Sequence, residues 1–108
     1  DYAFEGQMLR DRYGSREAIE RTFRDIRPHW KPILTDGHEL GDEPVVISEY
    51  GGLSIKPPGE EKWFGYATDA DALAMLARFE DLTAALLDST ALAGFCYTQF
   101  ADTYQEAN

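Results

Sequence analysis

The chain has 108 residues and a formal net charge of −10, from 20 acidic and 10 basic side chains. A surface of that sign repels phosphate backbones and anionic lipids, which disfavours nucleic-acid and membrane binding. No apolar run approaches the roughly 18 residues of a membrane span, and the single cysteine, Cys96, excludes an internal disulfide. We expect no cofactor and no metal ion, because His29 and His38 lack ligand spacing and have no cysteine nearby.

The first part of the chain predicts one helix after an irregular segment. Residues 1–14 show no regular pattern, so we expect a loop there. Ser15 is a suitable N-cap, and the acidic residues that follow it suit the positive end of a helix dipole. Apolar side chains recur at helical spacing from Ile19, and Pro28 cannot continue a helix. The pattern therefore predicts a helix over residues 16–27.

A short apolar strand is predicted over residues 45–48, and it ends at a carboxylate, Glu49. The strand lacks polar alternation, which is typical of a parallel-sheet strand buried on both faces. Ligands of parallel sheets gather at the carboxyl ends of strands, so Glu49 is the first candidate functional residue. Tyr50 should face the opposite side, because successive strand residues alternate. Residues 50–67 show no regular pattern and are expected to form a long loop.

A long helix is predicted over residues 69–88, with Thr68 as its N-cap. Apolar side chains recur there every three or four residues, which forms a stripe broad enough to cover a sheet. The stripe comprises Leu73, Leu76, Phe79, Leu82 and Leu86.

A second apolar strand is predicted over residues 92–98, in which Cys96 should be a small buried side chain. Strand, helix and strand in this order make a crossover that connects parallel strands. The carboxyl ends of both strands then face the same side of the sheet. This prediction groups Glu49 with the residues around Gln99.

Three segments resemble landmarks of one enzyme family. The run Ser48–Gly52 resembles the nucleophile segment of glycoside hydrolase family 2, the β-galactosidase, β-glucuronidase and β-mannosidase group. Residues 92–102 resemble the eighth barrel strand of that family, and Asp1-Tyr2 resembles the end of its sixth strand. The resemblance implies an α/β fold, a partial (β/α)8 TIM barrel from the end of strand 6 through strand 8. A complete barrel takes roughly 250 residues, so we expect residues 1–108 to be a single fragment, the C-terminal third of a catalytic barrel.

The resemblance implies a retaining glycosidase in which Glu49 is the nucleophile. Such enzymes use two carboxyl groups about 5 Å apart, of which one attacks the anomeric carbon and the other protonates the departing oxygen. The acid/base of the family is a Glu that follows an Asn. No Asn-Glu pair occurs in this chain, whose only asparagine is Asn108. The isolated chain is therefore expected to be inactive and to require the rest of the parent barrel.

The candidate substrate-binding residues are Tyr2, Trp63, Gln99 and Asp102. Tyr2 resembles a family tyrosine that hydrogen-bonds the nucleophile, although a packed loop aromatic is an equal alternative. Trp63 either stacks on a sugar or anchors its loop. Gln99 is expected to contact sugar hydroxyls, and Asp102 either does the same or caps the following turn. Thr98 stands where many relatives have the tryptophan that floors the sugar site, so the resemblance does not specify the sugar.

Two other functions are open. The chain either comes from a barrel that binds carbohydrate without cleaving it, which Thr98 favours, or is a small α/β interaction module. In the second case Glu49 is an exposed or salt-bridged strand-end residue. The expected partners are a carbohydrate substrate together with the rest of the barrel, or further copies of the chain that cover bare sheet edges and apolar helix faces.

Overall fold

The structure, a computed structural model, describes residues 1–26, 31–55 and 67–101. These residues form a small mixed α/β arrangement of three helices and two parallel sheets. The helices are α1 (Gly6–Tyr13), α2 (Arg16–Asp25) and α3 (Ala72–Leu87). The strands are β1 (Val45–Gly51), β2 (Leu53–Ile55), β3 (Ala67–Asp69) and β4 (Leu92–Thr98).

Each sheet consists of two parallel strands. β1 pairs with β4 and β2 pairs with β3. The predicted parallel relation between the strand that contains residues 45–48 and the strand at residues 92–98 is therefore confirmed, as β1 and β4. The loop predicted over residues 50–67 is wrong at both ends, because β1 continues to Gly51, and β2 and β3 occupy residues 53–55 and 67–69. Residues 56–66 lie outside the described part of the chain.

The helix predicted over residues 16–27 is confirmed as α2, with its end at Asp25. The backbone N–H of Ala18 donates to Ser15 Oγ at 3.2 Å, so the predicted N-cap is present. Hydrogen bonds from the backbone amide of Glu17 itself and from Ser15 hold the pKa of the Glu17 carboxyl below its usual value. The first turn of α2 thus stabilises negative charge, as expected at the positive end of a helix.

Helix α1 lies in the segment that the sequence predicts to be irregular, and that prediction is wrong. Its N-cap, Glu5, makes no side-chain capping bond. The free N–H of Gly6 instead donates to Asp81 Oδ2 at 2.6 Å, a carboxylate on α3. Leu9 and Tyr13 are buried on the inner side of α1. Tertiary contacts, rather than a local capping signal, therefore stabilise this helix.

Helix α3 begins later than predicted. Asp71, not Thr68, is its N-cap, and Asp71 Oδ1 accepts the Ala74 N–H at 2.9 Å. The apolar stripe is buried only in its second half, at Leu82 and Leu86. Leu73 and Leu76 are 77% and 50% exposed. In the first half of α3 it is instead Met75 and Phe79 that pack, partly buried, against the core.

The core lies between the helices and one face of the β1–β4 sheet. It joins side chains from every helix and from β1 and β2, among them the fully buried Leu9, Ile19, Leu53 and Leu82. The helices cover a single face of β1: Val45 and Ile47 are buried, whereas Val46 is 55% exposed. The prediction of a strand buried on both faces is therefore wrong for the described residues. Cys96 is also exposed, contrary to its predicted burial.

The contact between α1 and α3 leaves no room for a side chain at position 6. A Cβ added to Gly6 would lie 2.4 Å from Asp81 Oδ1 and 2.6 Å from the Asp81 backbone oxygen. We expect Gly6→Ala to lower the free energy of unfolding by about 2 kcal/mol, measured by urea denaturation, because α1 must move away from α3. Gln7→Ala is the matched control on an exposed position of α1 and should stay within about 0.5 kcal/mol of the unmodified chain. Equal effects of the two substitutions would contradict the prediction.

None of the helices in the described residues is long and apolar enough to cross a membrane.

Candidate functional site

Between the paired residues Ile47–Phe95 and Tyr50–Tyr97, strand β1 contains two residues and strand β4 contains one. Two residues of β1, Ser48 and Glu49, lie opposite the single residue Cys96, a register shift with the pattern of a β-bulge, which we refer to as the bulge. A reverse shift lies between Val45 and Val46, where β4 has the additional residue Ala93. In a regular strand Glu49 would share the buried face of Ile47, because side chains alternate. The bulge interrupts this alternation, so that Ser48 and Glu49 are both exposed and Tyr50 is buried. The flanking pairs are Ile47–Phe95 and Tyr50–Tyr97.

Tyr50 is fixed on the helix side of the sheet, which confirms that it faces away from Glu49. It is 2% exposed. Its hydroxyl lies 2.9 Å from Thr83 Oγ1 on α3. Its ring meets those of Phe95 and Tyr97 edge to face, with centroids 5.7 and 5.5 Å apart. Such aromatic pairs are favourable beyond the area that they bury, so Tyr50 fixes the register of β1 directly after the bulge.

At the carboxyl end of the β1–β4 sheet, Gly51 lies in close contact with β4. This residue has a φ of 101°, and a Cβ on it would lie 2.4 Å from Tyr97 Cε2. The next residue, Gly52, donates its N–H to the Thr98 backbone oxygen at 2.8 Å. Because β1 and β4 are parallel, Gln99 follows β4 at the same edge of the sheet at which Glu49 lies. The structure therefore places both residues toward one end of the sheet, with Gln99 three residues beyond Cys96, the residue opposite Glu49.

The first residues of the chain lie beside β1 at Glu49. The Asp1 nitrogen donates to the Glu49 backbone oxygen at 2.7 Å. The Asp1 carboxylate, 5% exposed, accepts bonds from Arg12 Nη1 at 2.8 and 2.9 Å and from the Tyr13 hydroxyl at 2.7 Å. Sequence reasoning did not identify this ion pair. It ties Asp1 to the end of α1 and thereby holds Tyr2, the next residue, near the backbone of the candidate nucleophile.

Two predicted site residues, Trp63 and Asp102, lie outside the described residues, as does His29. His38 is exposed, and residues 1–26, 31–55 and 67–101 contain no group of three or more His, Cys, Asp or Glu side chains that could hold a metal ion. A cavity of about 590 Å³ lies between α2 and residues 32–40, and Glu49 does not line it.

Tyr97, whose ring lies beside Gly51, should make the free energy of unfolding decrease at high pH. Burial, with a smaller effect from Tyr50, raises the pKa of Tyr97 above its ordinary 10.0. The native state then keeps the phenolic proton that the unfolded chain releases, so stability is complete below about pH 10 and decreases as the pH rises through the raised pKa. We expect Tyr97→Phe to reduce the fall in the urea midpoint between about pH 8 and about pH 11. Identical falls in both proteins would contradict the assignment. Part of the fall should persist, because burial also raises the pKa of Tyr13.

The arrangement offers one exposed carboxylate, Glu49, on the sheet face that the helices leave uncovered, with the amino-terminal Asp1 bonded to its backbone oxygen and Gln99 following β4 toward the same end of the sheet. Comparisons of the chain with protein-family profiles, with curated proteins and with solved structures find no match.

Proposed function

We propose that the chain carries the nucleophile, Glu49, of a retaining glycosidase of the family 2 type. The observation that supports this most is the position of Glu49. A bulge delivers its carboxylate, exposed, at the carboxyl end of a parallel strand, on the face opposite the helices. Bulges are over-represented beside active sites, where they redirect a side chain.

The order of elements supports the finer proposal of a partial TIM barrel. In such a barrel the helices pack outside the strands, and the active site lies at the carboxyl ends of the strands. The described helices likewise cover one face of β1, and Glu49 and Gln99 lie at the carboxyl edge of the sheet. In this proposal Asp1-Tyr2 ends the sixth strand, β1 is the seventh strand and β4 is the eighth. The uncovered face around Val46 and Cys96 would then be the barrel interior.

The proposed reaction is a double displacement. The Glu49 carboxylate attacks the anomeric carbon and forms a glycosyl ester, while a second carboxyl group protonates the departing oxygen. Water then cleaves the ester with the second group acting as base. This second carboxyl group is proposed to belong to polypeptide outside the 108 residues. Tyr2 and Gln99 are the proposed contacts to the nucleophile and to sugar hydroxyls, and Trp63 and Asp102 stay candidates.

Covalent labelling of the full-length protein tests the assignment. We would use 2-fluoro glycosides of gluco, galacto and manno configuration with a dinitrophenolate leaving group. Dinitrophenolate departs without protonation, so labelling depends chiefly on the nucleophile. At least one probe is expected to form an adduct that peptide mapping places on Glu49. An adduct on another residue would refute the assignment, and binding of sugars without any adduct would favour the carbohydrate-binding alternative.

The exposed apolar side chains on α3 and β1 fit both a barrel segment and a small interaction module, and the association state of the isolated chain distinguishes the two. Leu73, Leu76, Leu87 and Val46 are each at least half exposed. As a barrel segment, the isolated chain should bury them by self-association through its bare sheet edges. Sedimentation velocity of the isolated 108 residues is then expected to show concentration-dependent oligomers. A folded, monodisperse monomer would instead support a small independent module.

A further inference from the structure

We propose that the β-bulge of Ser48 and Glu49 is a positioning device that sets where the Glu49 carboxylate lies, with Tyr50 as the anchor of its register. This inference rests on the proposed function. It assigns positioning roles to Ser48 and Tyr50, neither of which is proposed to react with the substrate.

Packing of β1 does not require Ser48. In the observed strand, Val45 and Ile47 are buried and Val46 is exposed. If Ser48 is removed, Glu49 takes the next exposed position and Tyr50 the next buried one. The strand then alternates without interruption, as a half-buried strand should. β4 has its own additional residue, Ala93, between the pairs Val45–Leu92 and Val46–Gly94, so Ser48 returns β1 to the register that Val45 has with β4. Because the Ser48 side chain is exposed, its effect on the following residue is to change the position of Glu49.

The register beyond the bulge is fixed independently of Ser48. Tyr50 pairs with Tyr97, is buried against α3 and has its hydroxyl 2.9 Å from Thr83 Oγ1. After removal of Ser48 the pair Ile47–Phe95 and the pair Tyr50–Tyr97 are both compatible with a regular ladder, with Glu49 opposite Cys96. In the unmodified strand, Ser48 and Glu49 together occupy the length that the single residue Cys96 occupies in β4, about 3.3 Å. With these two pairs retained, removal leaves Glu49 as the single residue between them and displaces its carboxylate by on the order of 1 Å.

The experiment compares deletion of Ser48 with Ser48→Ala in the full-length protein. The substitution removes the hydroxyl but keeps the bulge, whereas the deletion removes the bulge. We would measure the maximal rate of Glu49 labelling by the 2-fluoro glycosides and the thermal unfolding midpoint. A displacement of about 1 Å lowers reactivity about 100-fold. We expect that loss in the deletion variant, with an unchanged or higher unfolding midpoint, and a loss below about threefold for Ser48→Ala.

Labelling of a folded deletion variant at the unmodified rate would overturn the inference and leave the proposed function intact. An equal loss in Ser48→Ala would also overturn it, because the hydroxyl would then be the cause. Absence of labelling in the unmodified protein would instead remove the proposed function, and the inference with it.

A second pair of variants covers a deletion that does not fold. Tyr50→Leu removes the ring that anchors the register. Phe79, on α3, belongs to the same aromatic cluster, and its ring centroid lies 5.0 Å from that of Tyr97. Phe79→Leu removes this ring. We expect labelling to fall about tenfold in Tyr50→Leu and to stay near the unmodified rate in Phe79→Leu. Equal rates in the two variants would refute the anchoring role.

Discussion

Glu49→Gln is expected to lower the kcat/KM of the full-length protein for nitrophenyl glycosides by about 10⁴-fold. The amide that replaces the carboxylate does not form the glycosyl ester, so the double displacement loses its first step. The free energy of unfolding should change by less than about 0.5 kcal/mol, because the Glu49 side chain is exposed. Hydrolysis is measured by release of nitrophenolate, and stability by urea denaturation.

The matched control for this loss is Glu80→Gln, which makes the same change of charge at an exposed position of α3. Glu80 lies outside the proposed site, so kcat/KM should stay within about twofold of the unmodified value. A Glu49→Gln protein that retains hydrolysis, or a Glu80→Gln protein that loses as much, would refute the role of Glu49 as nucleophile.

Gly51→Ala is expected to lower the free energy of unfolding by about 3 kcal/mol. The added Cβ meets two obstacles. The backbone φ of 101° is strained for any residue with a side chain. The methyl group would also lie 2.4 Å from Tyr97 Cε2 and 3.1 Å from the Thr98 backbone oxygen. Urea denaturation gives the change directly.

Gly37→Ala separates these two contributions. Gly37 has a similar φ of 82°, but a Cβ there would meet no atom within 4 Å. Gly37→Ala should lower the free energy of unfolding by about 1 kcal/mol, from the strain of the positive φ alone. The difference between the two variants then measures the clash with Tyr97, and it should decrease when Gly51→Ala is combined with Tyr97→Leu. Equal costs at positions 51 and 37 would show that the clash is absent.

The sequence predicts the elements whose signals are local. Ser15 followed by apolar side chains at helical spacing is sufficient for α2, because capping and amphipathicity both act within one helix. The parallel relation of β1 and β4 follows from a strand, a helix and a strand in succession. The same reasoning places Glu49 and Gln99 at one edge of the sheet.

The features that the sequence does not predict depend on residues far apart in the chain. The first N–H of helix α1, on Gly6, donates to the carboxylate of Asp81, 75 residues away, so no local cap marks the start of the helix. The stripe on α3 indicates one apolar face, but which turns of that face are buried depends on the elements that pack against them. The bulge at Ser48 is likewise invisible in a run of apolar and small residues, because only the pairing with β4 reveals the extra residue.

The family resemblance and the roles of Glu49, Tyr2 and Gln99 stay predictions. The structure contributes the geometry that makes them testable: an exposed carboxylate, a fixed neighbour at Tyr50 and an anchored amino-terminal segment.

The hydroxyl of Ser89, which donates to the Tyr13 backbone oxygen across 76 positions of sequence, has a consequence for how the chain acquires its structure. The contacts of α1 with α3 and the pairing of β1 with β4 join early and late segments, and such long-range closure slows folding. During synthesis, the β1–β4 sheet forms only after β4 has been made, which is later than α1 and α2. A nascent chain that stops short of residue 92 would therefore hold β1 without its partner β4, and its apolar side chains would be more prone to aggregation.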